Sequence, residues 1–144
     1  MRRRRLPVQD GLVSDSNYWS SMTVSDITLI HGSCKKILPT LQIPDNTLTI
    51  VDPPYNVGEY YRNHKDWMDD NEYKEWCKSW FPLLGKPLVL FPGHGNLPMW
   101  LSFAKPTGIG CWYKPGNPSS SILGYEEWEP YFYFGKRVGG SSVI

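Results

Sequence analysis

The sequence is poor in several features that would assign it to a class at once. It has no apolar run of membrane-spanning length. The four arginines of MRRRRLP are followed by no apolar segment, so they do not open a signal peptide. Cysteine is scarce: Cys34, Cys77 and Cys111 are odd in number and widely spaced, which fits neither a disulfide framework nor a zinc knuckle. They read as reduced core thiols of a cytosolic protein. Excess charge is also missing. With 15 Lys and Arg against 14 Asp and Glu, the net charge is +1, and no global field draws the chain onto nucleic acid. His31, His64 and His94 do not cluster with acids at metal spacing, and no segment repeats.

What is present suits one globular domain. The chain has 144 residues, 40% of them hydrophobic, enough to bury a core. Aromatics make up 15%, including seven Trp; core and surface packing accounts for most of such a surplus, with base stacking as a further use. Residues 1–25 are polar and without period, and read as a loose tail. Their arginines could neutralise phosphates, although a solvated tail is the plainer reading. Residues 26–137 carry the fold and 138–144 a second tail.

Within the fold, Ile27–Ile30 reads as a strand ending in a turn at His31-Gly32, and CKKILPTL as a short helix cut by Pro39. A turn at Pro44–Asn46 leads to a buried strand, Thr47–Val51. The stripe Tyr73, Trp76, Cys77, Trp80, Phe81 and Leu84 predicts an amphipathic helix. Asp69 and Glu72 offer it a capping box, and Pro82 ends or kinks it. PLVLF, GIGCWYK and EPYFYFGK are further strands, GHGNLPMWLSF a turn and short helix, and residues 114–124 a loop. Strand and helix in alternation predict an α/β fold with a mostly parallel sheet. Ligands bind such sheets beyond the carboxyl ends of the strands.

The segment TLTIVDPPYN puts a chemical corner at one of those ends. Each proline fixes its own φ and holds the preceding residue extended. Proline also has a carbonyl but no amide hydrogen. Asp52 and Pro53 thus present two acceptors without a competing proline donor, and Tyr55 adds a flat ring. Two fixed acceptors beside an aromatic plate suit an –NH2 group on a planar base. Holding both hydrogens draws the nitrogen towards a pyramidal shape and localises its lone pair, so that it can attack an activated methyl group. A base in a duplex reaches such a pocket only when flipped out. The plain alternative is a rigid turn whose acid caps nearby amides.

At these residues the chain resembles the S-adenosylmethionine-dependent DNA amino-methyltransferases, which modify adenine N6 or cytosine N4. The stretches LIHGSCKKILPTLQIPDNTLTIVDPPYN, DNEYKEWCKSWFPLL, LVLFPGHGN, CWYKPG and WEPYFYFGK follow in the order of the subgroup whose catalytic half comes first. The resemblance covers roughly residues 26–137 and implies a Rossmann-like methyltransferase fold. It implies that Asp52, Pro53, Pro54 and Tyr55 are catalytic, with Tyr55 stacking on the base and Asn56 lining the same pocket. Asp52 in place of Ser leans the target towards adenine. Lys114 is carried over as a substrate-binding residue, and Asp52 and Ser33 as cofactor-binding residues. Ser33 stands where the family often has an acid. Lys114 and Glu129 both sit in matching segments, with a solvated loop lysine and a structural acid as their alternatives. S-adenosylmethionine is the implied cofactor, no metal is required, and DNA is the implied partner.

The resemblance also implies a gap. Members of this order carry a later Asp-Pro-Phe-x-Gly-x-Gly segment for the methionine part of the cofactor, and RVGGSSVI does not supply it. The expectation is a catalytic half, incomplete at its C-terminus: a truncated gene, a remnant, or a split enzyme completed by a second polypeptide. A non-catalytic nucleic-acid-binding module, and a methyltransferase acting on RNA or protein amide nitrogen, stay open. The loop NVGEYYRNHKDW is expected to close over the base. Its Arg62 and Lys65 are candidates for phosphate contact, with a plain surface loop as the alternative.

Overall fold

A computed structural model describes residues 20–24, 27–44, 47–62, 64–116, 119–121 and 124–136. The arginine run, residues 45–46 of the expected turn, residues 117–118 and 122–123 of the expected loop, and the C-terminal tail lie outside the described residues. The chain divides into two units, Met1–Leu41 and Gln42–Ile144.

In the first unit, β1 (Ser20–Val24) pairs antiparallel with β2 (Ile27–His31), from Val24 opposite Ile27 to Ser20 opposite His31. Two sequence expectations change here. Residues 20–24 are strand rather than loose tail, and β2 pairs in a two-stranded sheet instead of opening a parallel one. The short helix is present as α1 (Cys34–Ile37), and at Pro39 the chain tightens into a 3-10 turn, Leu38–Thr40. A proline at the first positions of a helical turn lacks only an amide that would be unpaired anyway.

The second unit is built on a four-stranded mixed sheet. In chain order it contains β3 (Thr49–Val51), a small hairpin of β4 (Tyr60–Tyr61) and β5 (His64–Lys65), and α2 (Asp70–Trp80). Next come β6 (Leu88–Leu90), α3 (Leu97–Leu101) and β7 (Gly108–Tyr113). A hairpin of β8 (Ser119–Ser121) and β9 (Gly124–Glu126) precedes β10 (Trp128–Phe134). The region expected to be a plain loop therefore holds strand pairing. The sheet order is β3-β6-β10-β7.

β3 and β6 are parallel, while β10 is antiparallel to both β6 and β7. Strands β3, β6 and β7 consequently point the same way, yet only one neighbouring pair is parallel. The expectation of a mostly parallel sheet is corrected to a mixed one. The cause is local: β7 returns through a strand hairpin rather than a helical crossover, and such a return yields an antiparallel neighbour.

One face of the sheet carries the core. Leu88, Leu90, Phe132 and Phe134 are buried with Tyr73, Cys77 and Trp80 of α2 and with Trp100 and Ala104. The α2 stripe falls as its spacing predicts, with Trp76, Phe81 and Leu84 half-buried at the margin. Trp80 meets Trp100 edge-on at 5.7 Å, and Phe81 meets Phe134 at 5.2 Å, the edge-to-face geometry that aromatic quadrupoles favour. Burying each large side chain of this kind contributes about 1.5–3 kcal/mol. β10 alternates as expected, with Pro130, Phe132 and Phe134 buried and Tyr131 and Tyr133 on the other face. Asp69 caps α2 by accepting from the amide of Asn71 at 2.9 Å. Glu72 instead lies 3.8 Å from Lys65. Pro82 turns the helix into a 3-10 turn, Phe81–Leu83. Of the three cysteines only Cys77 is a core thiol; Cys34 and Cys111 are exposed.

Candidate active site

The corner begins where β3 ends. The amide of Phe91 donates to the Val51 carbonyl at 2.9 Å, so the parallel ladder runs to the last residue before Asp52. Asp52 is exposed, Pro53 is buried, and Pro54 and Tyr55 are half-buried. Among the described residues nothing donates to the Pro53 carbonyl. The Pro54 carbonyl accepts from the Tyr73 hydroxyl at 2.7 Å, which ties the corner to α2.

Tyr55 is held from three sides. Its backbone carbonyl accepts from Asn96 Nδ2 at 2.8 Å. Its ring lies on Gly93, where an added Cβ would come within 3.0 Å of Cγ and 3.2 Å of both Cδ atoms. Near-equal distances to the two Cδ atoms put Gly93 over the ring face. Its hydroxyl donates to Asp52 Oδ1 and is 3.2 Å from Glu129 Oε1. Burial, then the hydrogen bond and charge of Asp52, then Glu129, push the phenol pKa well above its ordinary range. Tyr55 therefore stays neutral at any physiological pH. Burial raises Tyr73 in the same way, with smaller contributions from Cys77 and Asp66.

The residues after the motif are organised by a side chain that sequence reasoning missed. Asp66 is fully buried. Its carboxylate accepts from the amides of Asn56, Val57 and Glu59 at 2.8, 3.1 and 2.9 Å, and its carbonyl accepts from Gly58 at 2.7 Å. A buried carboxylate needs such a set of donors. Asn56 sits at φ +60°, a left-handed conformation that Asn tolerates. Its side-chain amide is engaged at both ends by the Met68 backbone, at 2.9 and 2.6 Å.

Two more predicted residues converge on the corner. Lys114 Nζ lies 2.9 Å from Glu129 Oε2, both side chains being mostly buried. Lys114 also lies 5.4 Å above the Trp112 ring. Nearby, His94 Nε2 is 3.0 Å from Glu126 Oε2, off a straight hydrogen-bond axis, and the Trp128 ring meets His94 edge-on at 4.4 Å. Arg62 is exposed and Lys65 is turned to Glu72. Ser33 belongs to the first unit. Its carbonyl accepts from Lys36 and Ile37, and its hydroxyl makes no capping bond.

For S-adenosylmethionine these side chains fit only in part. At the corner Asp52 offers one acid, whereas a methionine carboxylate calls for a set of donors. RVGGSSVI, the sequence's own double glycine, lies outside the described residues.

Over part of its length the chain is similar to two curated type II methyltransferases. It is 37% identical over 75 residues to Type II methyltransferase M.MjaVI of Methanocaldococcus jannaschii, a stretch covering 51% of this chain and 36% of that protein. It is 34% identical over 56 residues to Type II methyltransferase M.ScaI of Streptomyces caespitosus, covering 39% of this chain and 17% of that protein. The aligned stretches thus span well under two thirds of either relative. No family model matches the chain. No solved structure matches it significantly.

Proposed function

We propose that this chain carries the catalytic corner of a DNA amino-methyltransferase of Rossmann-like fold, acting on adenine N6 in preference to cytosine N4. The observation that carries the reading is the pair of acceptors at the carboxyl end of β3. Asp52 is exposed, the Pro53 carbonyl has no donor among the described residues, and a tyrosine ring is fixed beside them. The partial similarity to two type II methyltransferases supports the methyltransferase part of this reading.

In this mechanism the flipped base stacks on the Tyr55 face opposite Gly93. Its amine gives one hydrogen to Asp52 and one to the Pro53 carbonyl. Both bonds favour a pyramidal nitrogen over a planar one, so they strengthen as the nitrogen becomes nucleophilic, which is the condition for catalysis. S-adenosylmethionine supplies an electrophilic methyl group when bound. Its donor-rich half is proposed to come from a further segment or a second polypeptide, because the residues described here meet only part of its needs.

The test is transfer of tritiated methyl groups from S-adenosylmethionine to duplex DNA, RNA and protein, with the chain alone and with candidate partner polypeptides. Adenine-dependent labelling of DNA, abolished by Asp52→Ala, is the expected result. Labelling of RNA or protein alone would replace the substrate. DNA binding with neither cofactor binding nor transfer would make the chain a non-catalytic binding module.

A further inference from the structure

A phenol has one proton, yet the Tyr55 hydroxyl stands between two carboxylates. It donates to Asp52 Oδ1 and lies 3.2 Å from Glu129 Oε1. One hydroxyl serves only one of them at a time as donor. The two acceptors differ in setting. Asp52 is exposed at the strand end. The Glu129 side chain is 15% exposed, and its other oxygen is held by Lys114 at 2.9 Å. Lys114 directly follows the last residue of β7, and Glu129 lies within β10, where the register sets Tyr113 opposite Trp128 and Trp112 opposite Glu129.

Asp52 Oδ1 already accepts from Tyr55, so an amine that takes this oxygen displaces the phenol, whereas one seated on Oδ2 leaves it in place. Without a second acceptor the displaced phenol would be left half-buried and unpaired, a cost that would fall on binding. We infer that Glu129, steadied by Lys114, is a positioning residue that receives the Tyr55 hydroxyl when an exocyclic amine takes its place on Asp52. The hydroxyl turns about its own C–O bond and keeps its proton, and the ring stays on Gly93. In the absence of a base the phenol occupies Asp52 Oδ1; with a base amine on that oxygen it is parked on Glu129. The inference rests on the base-amine reading of the corner, and its test separates the two.

The first arm uses no ligand. Tyrosine labelled with carbon-13 at Cζ reports the Tyr55 hydroxyl by NMR. In Asp52→Ala the hydroxyl proton is expected to stay hydrogen-bonded to Glu129 and to exchange slowly. Adding Glu129→Ala should accelerate exchange about tenfold or more. If exchange in Asp52→Ala already equals that of the double variant, Glu129 is not the second acceptor and the inference falls, whatever the corner binds.

The second arm measures affinity for a duplex bearing adenine opposite an abasic site, relative to one bearing purine, which lacks the amine. Glu129→Ala should reduce the adenine preference about tenfold, the weight of one charge-assisted hydrogen bond. Glu129→Gln keeps an acceptor and should lose less. Tyr55→Phe in the Glu129→Ala background removes the competing hydroxyl and should restore most of the preference. Loss without rescue would mark Glu129 as merely structural and overturn the inference. If the unmodified protein shows no adenine preference while the first arm behaves as expected, the base-amine reading fails and the two-acceptor hydroxyl stands.

Discussion

The side-chain amide of Asn96 donates to the backbone carbonyl of Tyr55 at 2.8 Å, across 41 residues of chain. This bond joins the loop after β6 to the loop after β3. Those strands are the parallel pair, so the corner is braced by the turn of its neighbour as well as by its own prolines. Gly93, in the same turn, lies under the Tyr55 ring. Positioning of the tyrosine is thus a product of strand pairing rather than of the tetrapeptide alone.

Gly93 is the tightest point of that arrangement. It stands at φ +71° and ψ 147°, a conformation that side chains rarely adopt, and a Cβ would press on the Tyr55 ring at 3.0 Å. Gly93→Ala should destabilise the fold by about 1–3 kcal/mol and shift the Tyr55 ring. Urea denaturation measures the first effect, and the Tyr55 resonances report the second.

Asp66 governs the segment after the motif. Asp66→Ala leaves three inward-turned amides without their acceptor, and a loss of about 3 kcal/mol follows. Asp66→Asn, which keeps one acceptor oxygen, should lose less. Hydrogen exchange at Asn56, Val57 and Glu59 should rise in both variants, and more in the alanine one. The core amides of β6 and β10 should rise only as far as the global stability falls.

The local pattern of the chain made much of this legible. The helical spacing of Tyr73, Cys77 and Trp80 located α2, and the short apolar runs located β3, β6, β7 and β10. The prolines after β3 marked the corner. What stayed hidden depends on pairing. Nothing in the spacing says that β10 slots between β6 and β7, because strand order is a long-range choice between similar apolar runs. β1 is a short run beginning Ser-Ser, whose polarity resembles that of a tail until β2 pairs with it. Asp66 is one acid in a mixed-charge loop, and its burial arises only when the loop closes around it. Lys114 and Glu129 were both singled out from the sequence, but that they meet depends on the register of β7 and β10.

Cys77 gives a pH signature. Burial pushes its thiol up from 9.0 to about 12, against a smaller lowering by the Tyr73 hydrogen bond. The unfolded chain releases this proton at lower pH than the folded one, so between pH 9.0 and about 12 the folded state holds more protons. Stability from this group is complete below pH 9.0 and falls as pH rises towards 12. Cys77→Ala should flatten that part of the alkaline stability profile. In the native protein at pH 8, Cys77 should react with a thiol reagent about a hundredfold more slowly than the exposed Cys34 and Cys111.

The most direct measurement of the proposed amine grip compares two duplexes that differ by one –NH2 group, adenine or purine opposite an abasic site, with and without Asp52→Ala. The protein should hold the adenine duplex about tenfold more tightly, and the variant should bind both alike with its thermal unfolding unchanged. Equal affinity of the unmodified protein for the two duplexes, or a preference that survives in Asp52→Ala, would contradict the assignment of this corner to a base amine.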